Sequence, residues 1–150
     1  MAESERVQGG GPDACADAAA PSLDLELPAV ASNVAAGRHA VRKFCDGQSL
    51  DHGTIAIAVS EALTNVVVHA YRNGGAVGPM RVSGTMLADV LMVVVSDDGL
   101  GMTPRTDSPG MGRGLLLIDQ FAGTVQIDSD HRGTRLEMGF ARGAGSHAAA

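Results

Sequence analysis

The stretch from Asp51 to Gly75 constrains the fold of this chain most strongly. At about 100° per residue, an apolar stripe runs along one face of a helix, and further valines and alanines flank it. This spacing predicts one long helix, with Asn73-Gly74-Gly75 as its stop signal. A helix with so much apolar surface needs other elements packed against it. The stripe consists of Ile55, Val59, Ala62, Val66 and Ala70.

One polar strip interrupts this helix. Glu61, Asn65, His69 and Arg72 follow one another at intervals of four, four and three residues, so they share one side. A carboxylate in such surroundings is costly unless it is paired, hydrated or used in chemistry. The strip is therefore either a solvent-exposed polar edge or the wall of a nucleotide site.

In the second interpretation, the strip carries two chemical roles. The amide oxygen of Asn65 would bind Mg²⁺, which commonly takes one or two protein ligands plus substrate phosphates. Glu61 would accept a proton from an attacking hydroxyl. His69 would form a hydrogen bond, because no second His or Cys stands at metal-ligand spacing.

Weaker patterns on both sides of this helix predict the remaining elements. Leu23, Leu25 and Leu27 alternate with polar residues, as in a half-buried strand, and Val90 to Val95 is apolar on both faces, as in a central strand. Strands and helices are segregated rather than strictly alternating. The predicted class is therefore α+β, a two-layer sandwich with helices on one face of a mixed, mostly antiparallel sheet. The predicted order is a strand ending at Pro28, a helix ending at Gly47, the long helix, two strands joined near Ala88-Asp89, a short helix ending at Gly123, and a hairpin turning at Asp130 to Gly133.

Length and composition bound the class of protein. The 150 residues suit one domain, which we place at 21–141, between a flexible arm at 1–20 and a flexible tail at 142–150. A net charge of -6 and 3% aromatic residues argue against direct nucleic-acid binding. No signal peptide is visible, no stretch approaches the roughly 18 apolar residues of a membrane span, and Cys15 and Cys45 lack metal-ligand spacing. We therefore expect a cytoplasmic protein with reduced thiols and no membrane segment.

Two glycine-rich segments are candidate nucleotide loops. In "DDGLG", Asp97 would accept a hydrogen bond from an exocyclic amine such as that of adenine, although Asp-Gly turns are also common strand ends. "GMGRGL", from Gly110 to Leu115, opens a helix with three glycines, and free N–H groups at such a terminus attract phosphates. The segment lacks the last glycine of GxGxxG, and no GxxxxGK[ST] occurs, so neither a Rossmann site nor a P-loop is supported.

The loop between these segments completes the pattern. Met102 to Pro109 has glycine flanks and two prolines, and we expect it to act as a lid. Arg113 and Arg105 are the nearest candidates to meet phosphate charge, and an exposed loop arginine is the alternative for Arg113. Gly133-Thr134 taken alone indicates only a hairpin turn.

In this order the segments resemble the four sequence boxes of the histidine-kinase-like ATPases, the family of gyrase, MutL and sensor kinases. The motifs are E-A-L-T-N-V-V-V-H-A-Y, D-x-G-x-G, G-x-G-x-G-L-L-L-I and G-T, and they cover residues 61 to 134. Within that family the motif sequences most resemble those of the anti-sigma factor serine kinases of bacterial partner-switching systems. The E-A-x-x-N-x-x-x-H-A-Y helix and the short lid are the specific features.

This resemblance implies a Bergerat-type fold that binds ATP and Mg²⁺ between the helix layer and the lid. It implies that Asn65 coordinates Mg²⁺, that Asp97 binds the adenine amine and that Glu61 is the catalytic base. Gly99 and Gly101 would shape the adenine pocket, and Thr134 would form a hydrogen bond near the base. The implied phosphate cradle comprises Gly110, Gly112 and Gly114, with Arg113 and Leu115 as further nucleotide contacts.

The resemblance also implies partners. The substrate would be a Ser or Thr hydroxyl of an anti-anti-sigma (STAS-type) protein, the second partner a sigma factor, and the family pattern is a homodimer. Arg38, Arg42 and Lys43 would meet an acidic partner surface or form a solvated basic face.

Two other interpretations stay open. The protein could be a nucleotide-sensing binding module with little or no kinase activity, although Glu61 favours the enzyme because binding alone does not require it. A catalytic domain cut from a sensor histidine kinase is disfavoured, because no helix with a phosphoacceptor His precedes the domain and the chain begins with Met.

Overall fold

The computed structural model describes residues 20–72, 74–101 and 111–143, of which 111–113 are described by backbone alone. Several expectations lie outside the described residues. They concern the arm up to residue 19, Cys15, Asn73, the lid at 102–109 with Arg105, Gly110, the side chain of Arg113, and the tail from residue 144.

The described chain contains five strands, namely β1 (Ser22–Pro28), β2 (Pro79–Leu87), β3 (Val90–Asp97), β4 (Thr124–Asp130) and β5 (Gly133–Ala141). They form one open sheet in the order β1-β2-β3-β5-β4, with β3 at the centre as predicted. All described neighbours are antiparallel, and hairpins join two of the four pairs, β2 to β3 and β4 to β5. The α+β class and the mostly antiparallel sheet are thus confirmed.

The helices cover one face of this sheet and form the second layer. They are α1 (Ser32–Cys45), α2 (His52–Asn65) and α3 (Met111–Phe121), and a π-helical turn (Val66–Ala70) extends α2. The core lies between the layers, where fully buried Leu63 and Ile118 face Met80, Leu91 and Met138 of the sheet. Cys45 is buried there without a disulfide partner in the described chain, and burial raises its pKa to about 11.

The long central helix begins where the sequence predicts. Asp51 caps it by accepting hydrogen bonds from the Thr54 backbone N–H at 3.1 Å and the Thr54 hydroxyl at 2.7 Å. All five residues of the predicted apolar stripe are buried, the most exposed being Val66 at 6%. The spacing of apolar residues along α2 thus predicts correctly which face of the helix is buried.

The end of this helix differs from the prediction. The helix changes to a π turn after Asn65 and stops at Ala70, because Tyr71 takes φ -121° and ψ 47°. The Leu100 N–H donates to the Ala70 carbonyl at 2.9 Å, so the loop after β3 satisfies the helix end. The predicted stop at Asn73-Gly74-Gly75 is therefore wrong by a few residues, since a distant segment ends the helix before its local stop signal.

One further expectation needs correction. Within the described chain, the helical segment His52–Ala70 has the length and apolar composition of a membrane span, so the prediction that no stretch approaches that limit is wrong. The segment is apolar because its stripe is buried in the core between the two layers.

Candidate nucleotide-binding site

A cavity opens between the C-terminal part of α2, the first turns of α3 and the C-terminal end of β3. Its apolar walls come from Ala62, Val66, Ala70, Val95 and Leu136. Six residues that the sequence assigns to the polar strip or to nucleotide contacts also line it, namely Asn65, His69, Asp97, Gly101, Leu115 and Thr134. Segments separated by up to about seventy positions therefore meet in one place.

Asp97 forms the acidic end of the cavity. It is 7% exposed and is the one buried charged residue of the described chain. Its Oδ1 accepts a hydrogen bond from the Gly99 N–H at 2.8 Å. Burial raises the pKa of Asp97, and backbone hydrogen bonds from Gly99 and Thr134 partly oppose that shift. Such a carboxylate, held beside apolar walls, suits the recognition of a hydrogen-bond donor on a flat ring.

The glycines after Asp97 are required by packing. A Cβ at Gly99 would lie 2.2 Å from the Ala70 carbonyl oxygen, and Gly101 has φ +76° with its Cβ position 2.1 Å from the Asp130 carbonyl oxygen. No side chain fits at either position. The loop can therefore pass closely between the helix end and the β4–β5 hairpin, and its backbone forms part of the cavity wall.

Gly114 brings α3 against the polar strip of α2. A Cβ built on this buried glycine would lie 3.2 Å from Glu61 Oε2 and 3.3 Å from Asn65 Nδ2. Glu61 and Asn65 are themselves partly exposed. The predicted phosphate glycine, metal ligand and base thus lie together at the first turns of α3, whereas Arg72, the last residue of the strip, is exposed and does not line the cavity.

His69, a member of the polar strip, is the cavity residue for which the sequence predicts a hydrogen bond but no contact with a ligand. It lies in the π turn and lines the cavity, and its buried Nδ1 has no hydrogen-bond partner within the described residues. Burial, and secondly the charge of Arg72, lower the pKa of His69, so the imidazole is neutral at neutral pH. An orphaned nitrogen in a cavity wall suits contact with a ligand. Its position four residues after Asn65 was the available signal.

These residues fit a purine nucleotide with Mg²⁺. The cavity offers a carboxylate, a hydroxyl and a ring nitrogen without a partner among the described residues, all between apolar walls, which is the balance expected of a site for a flat polar ring. The described residues contain no group of three or more His, Cys, Asp and Glu placed to hold a metal. A cation here would take the Asn65 amide oxygen together with phosphate and water oxygens, as Mg²⁺ does.

The cavity is narrow in this structure. Its free volume of about 30 Å³ has room for one or two waters. A purine would therefore enter only with movement of the surrounding side chains or helices, a change of the kind common at nucleotide sites with closing loops.

Comparison with known proteins identifies the class. Residues 27–140 match the family model of the histidine kinase-like ATPase domain. The chain therefore belongs to the histidine kinase-like ATPase family, as the four sequence boxes predict.

Its relatives narrow this class. The anti-sigma F factor of Clostridium kluyveri is 27% identical over 132 residues, covering 78% of this chain and 92% of that protein. The anti-sigma F factor of Bacillus subtilis is 29% identical over 133 residues, covering 77% of this chain and 89% of that protein. The predicted similarity to anti-sigma factors within the family is thus confirmed.

Solved structures share the fold. The RsbU and RsbW domains of Rv1364c from Mycobacterium tuberculosis superpose with a TM-score of 0.62 at 23% identity, over 81% of this chain and 33% of that one. The histidine kinase domain of the blue-light activated histidine kinase from Erythrobacter litoralis EL346 gives 0.53 at 19% identity, over 77% of this chain and 62% of that one. This chain therefore spans a third of the first protein and under two thirds of the second.

Proposed function

We propose that this protein is an anti-sigma factor that binds ATP with Mg²⁺, phosphorylates a Ser or Thr of a STAS-type anti-anti-sigma protein, and holds a sigma factor inactive. The observation that carries the proposal is the close approach of Gly114 to both Glu61 and Asn65, where a Cβ would touch each side chain, beside a cavity that ends at buried Asp97. A nucleotide in this cavity would have its base at Asp97 and its phosphates at Gly114.

At the base end, the Asp97 carboxylate would accept a hydrogen bond from the exocyclic amine of adenine. Guanine carries a carbonyl oxygen at the equivalent ring position, which the carboxylate would repel. Thr134 lies directly opposite Asp97 in the β3–β5 register and adds a hydroxyl near the same edge. These two residues therefore favour ATP over GTP.

At the phosphate end, the first turn of α3 offers backbone N–H groups with no partner inside the helix. Gly114 lets this turn lie close to Asn65, so that one amide oxygen reaches a cation shared with the phosphates. Mg²⁺, when bound, neutralises phosphate charge. We assign Gly110, Gly112, Arg113 and Leu115 to the same nucleotide on the resemblance of the motif.

Glu61 supplies the basic oxygen for transfer. The acceptor hydroxyl oxygen forms a bond to the γ-phosphorus, the bond from that phosphorus to the β,γ-bridging oxygen breaks, and ADP leaves with the electron pair. The hydroxyl proton goes to Glu61, one helical turn from Asn65. Since phosphoryl transfer depends mainly on positioning and charge stabilisation, this small set of groups is sufficient.

The partners are proposed from the relatives. Two anti-sigma F factors align with this chain over about nine tenths of their own length, which supports partners of the same kind. We further propose that the folded unit spans 21–141 and acts as a cytoplasmic homodimer that binds a sigma factor.

Incubation with γ-labelled ATP, Mg²⁺ and candidate anti-anti-sigma proteins tests this function. The wild type should label the partner, and Glu61→Gln should lower the rate by about 10² or more while ATP affinity stays within a few-fold. Glu137→Gln, on the opposite face of the sheet, is the matched control and should transfer at the wild-type rate.

Two outcomes would count against this assignment. Undiminished transfer by Glu61→Gln would make Glu61 a structural residue. A wild type that binds ATP but labels no anti-anti-sigma partner would leave the nucleotide-sensing binding module as the function.

A further inference from the structure

A polar network lies behind the turn that carries Asp97, on the side away from the cavity. It consists of Tyr71, Arg81 and Asp98, and we call it the turn brace. The brace joins the residue that ends the long helix, the second strand and the loop after the third strand. None of its members lines the nucleotide cavity, so the proposed chemistry leaves them without a role.

Tyr71 holds the backbone of the turn. Its hydroxyl accepts a hydrogen bond from the Asp98 N–H at 3.0 Å and donates one to the Pro79 carbonyl. Its ring packs directly on Gly78, where a Cβ would lie 2.4 Å from a ring carbon. Burial raises the pKa of Tyr71, so the hydroxyl keeps its proton and donates at neutral pH. Tyr71 therefore ties the turn to the first residue of β2.

Arg81 holds the side chain of the turn. Its two terminal nitrogens donate to Asp98 Oδ1 and Oδ2, each at 2.8 Å, and its Nε donates to Glu26 Oε2 at 2.7 Å. The Arg81 guanidinium lowers the pKa of Asp98, so the pair stays charged well into the acidic range. An exposed ion pair contributes little stability by itself, but the two-pronged geometry fixes the orientation of the carboxylate.

The brace and the proposed adenine contact occupy opposite sides of one short turn. Asp97 points to the cavity, and the next residue, Asp98, is held by its N–H and by both carboxylate oxygens. On the other flank, the Gly99 N–H donates to Asp97 Oδ1 and the Leu100 N–H donates to the Ala70 carbonyl. Release of Asp98 would let the backbone at Asp97 rotate, and the carboxylate would lose its fixed direction.

We propose that Tyr71 and Arg81 are positioning residues that aim the Asp97 carboxylate and so set the preference of the site for adenine. This inference rests on the proposed nucleotide function. It predicts that damage to the brace removes selectivity for the base, whereas contacts to the phosphates persist.

Inosine triphosphate provides the matched ligand, because it differs from ATP by a carbonyl in place of the exocyclic amine. Tyr71→Phe should weaken ATP binding about fivefold, the scale of one lost hydrogen bond, and Arg81→Met about threefold. Affinity for inosine triphosphate should change less than twofold, so the preference for ATP shrinks. Glu26→Gln removes a charge from the other partner of Arg81 and should leave the preference unchanged. Titration calorimetry measures all of these affinities.

Hydrogen exchange without nucleotide supplies the second measurement. In both variants the amides of Gly99 and Leu100 should exchange about fivefold faster, while those of α1 keep their wild-type rates. Equal loss of ATP and inosine triphosphate affinity, with faster exchange throughout the protein, would show a merely structural role and overturn the inference. Unchanged exchange at Gly99 in both variants would also overturn it. A wild type that binds no ATP would instead overturn the proposed function.

Discussion

Replacement of Gly114 by alanine should separate stability from catalysis. The added methyl would lie 3.2 Å from Glu61 Oε2, 3.3 Å from Asn65 Nδ2 and 3.4 Å from Asn65 Oδ1. Such contacts are tight, so one of the two polar side chains, or the first turn of α3, has to shift by a few tenths of an ångström. The shift falls on the proposed base and the proposed metal ligand.

The effect on stability should be small because two contributions oppose each other. Alanine in place of glycine stabilises a helix by about 0.5–1 kcal/mol. Tight packing of a methyl group against partly exposed polar atoms costs a similar amount, at the low end of the roughly 1–3 kcal/mol for overpacked sites. We therefore expect the free energy of unfolding to stay within about 1 kcal/mol of the wild-type value.

Catalysis should respond more strongly. A displacement of 1 Å in a catalytic site costs on the order of 10² in rate, so a few tenths of an ångström should lower phosphoryl transfer about tenfold. Denaturant unfolding and a labelled-ATP transfer assay measure the two quantities. Gly123→Ala is the control, since its Cβ would meet only the Gly139 carbonyl oxygen, at an ordinary 3.5 Å. Wild-type transfer by Gly114→Ala would refute the contact between α3 and the polar strip.

Three further substitutions test the metal ligand, the base contact and the packing of α1 on α2. Asn65→Ala should weaken Mg²⁺-dependent ATP binding by more than tenfold, about 1.4 kcal/mol, with the fold intact, and equal calorimetric affinities would contradict the metal assignment. Asp97→Asn should reduce the preference for ATP over GTP. In the wild type this preference should also fall on acidification, and should begin to fall at a higher pH than for an ordinary aspartate, because burial raises the pKa of Asp97 and only its ionised form repels guanine. A ratio of ATP to GTP affinity that stays constant from pH 7.5 to 4.5 would contradict this role. Gly37→Ala should lower the free energy of unfolding by about 1–2 kcal/mol, because its Cβ would lie 2.5 Å from Cδ1 of buried Leu63 and this overpacking exceeds the helix-forming gain of alanine. An unchanged unfolding midpoint would show that Leu63 moves aside without cost.

The spacing of apolar residues correctly predicted the elements in which that spacing follows from burial of one face. The alternating leucines of β1, the apolar stripe of α2 and the run of valines in β3 all lie where the sequence places them. In each case one face of the element packs on the core, so the spacing of apolar residues carries the information.

The remaining features depend on contacts between distant segments. The helix ends at Ala70, whose carbonyl accepts a hydrogen bond from the Leu100 N–H, and no residue near Ala70 in the sequence predicts that contact. The turn brace likewise joins Arg81 to Asp98, seventeen positions apart, and Tyr71 to Asp98, twenty-seven positions apart. The four sequence boxes named most residues of the candidate site. The close approach of Gly114 to Glu61, and a His69 nitrogen that no described residue bonds, follow only from the packing of α3 and the π turn.

Amide chemical-shift mapping with Mg²⁺ and ATP tests most directly whether a nucleotide occupies the cavity between α2, α3 and the end of β3. Saturable changes should concentrate at Asn65, at Asp97 to Gly101, at Gly114 and at Thr134. They should spare the groove at the other end of the sandwich, which Asp51, Thr54, Phe121 and Phe140 line. Absence of saturation at millimolar ATP, or changes concentrated in that second groove, would contradict the proposed site.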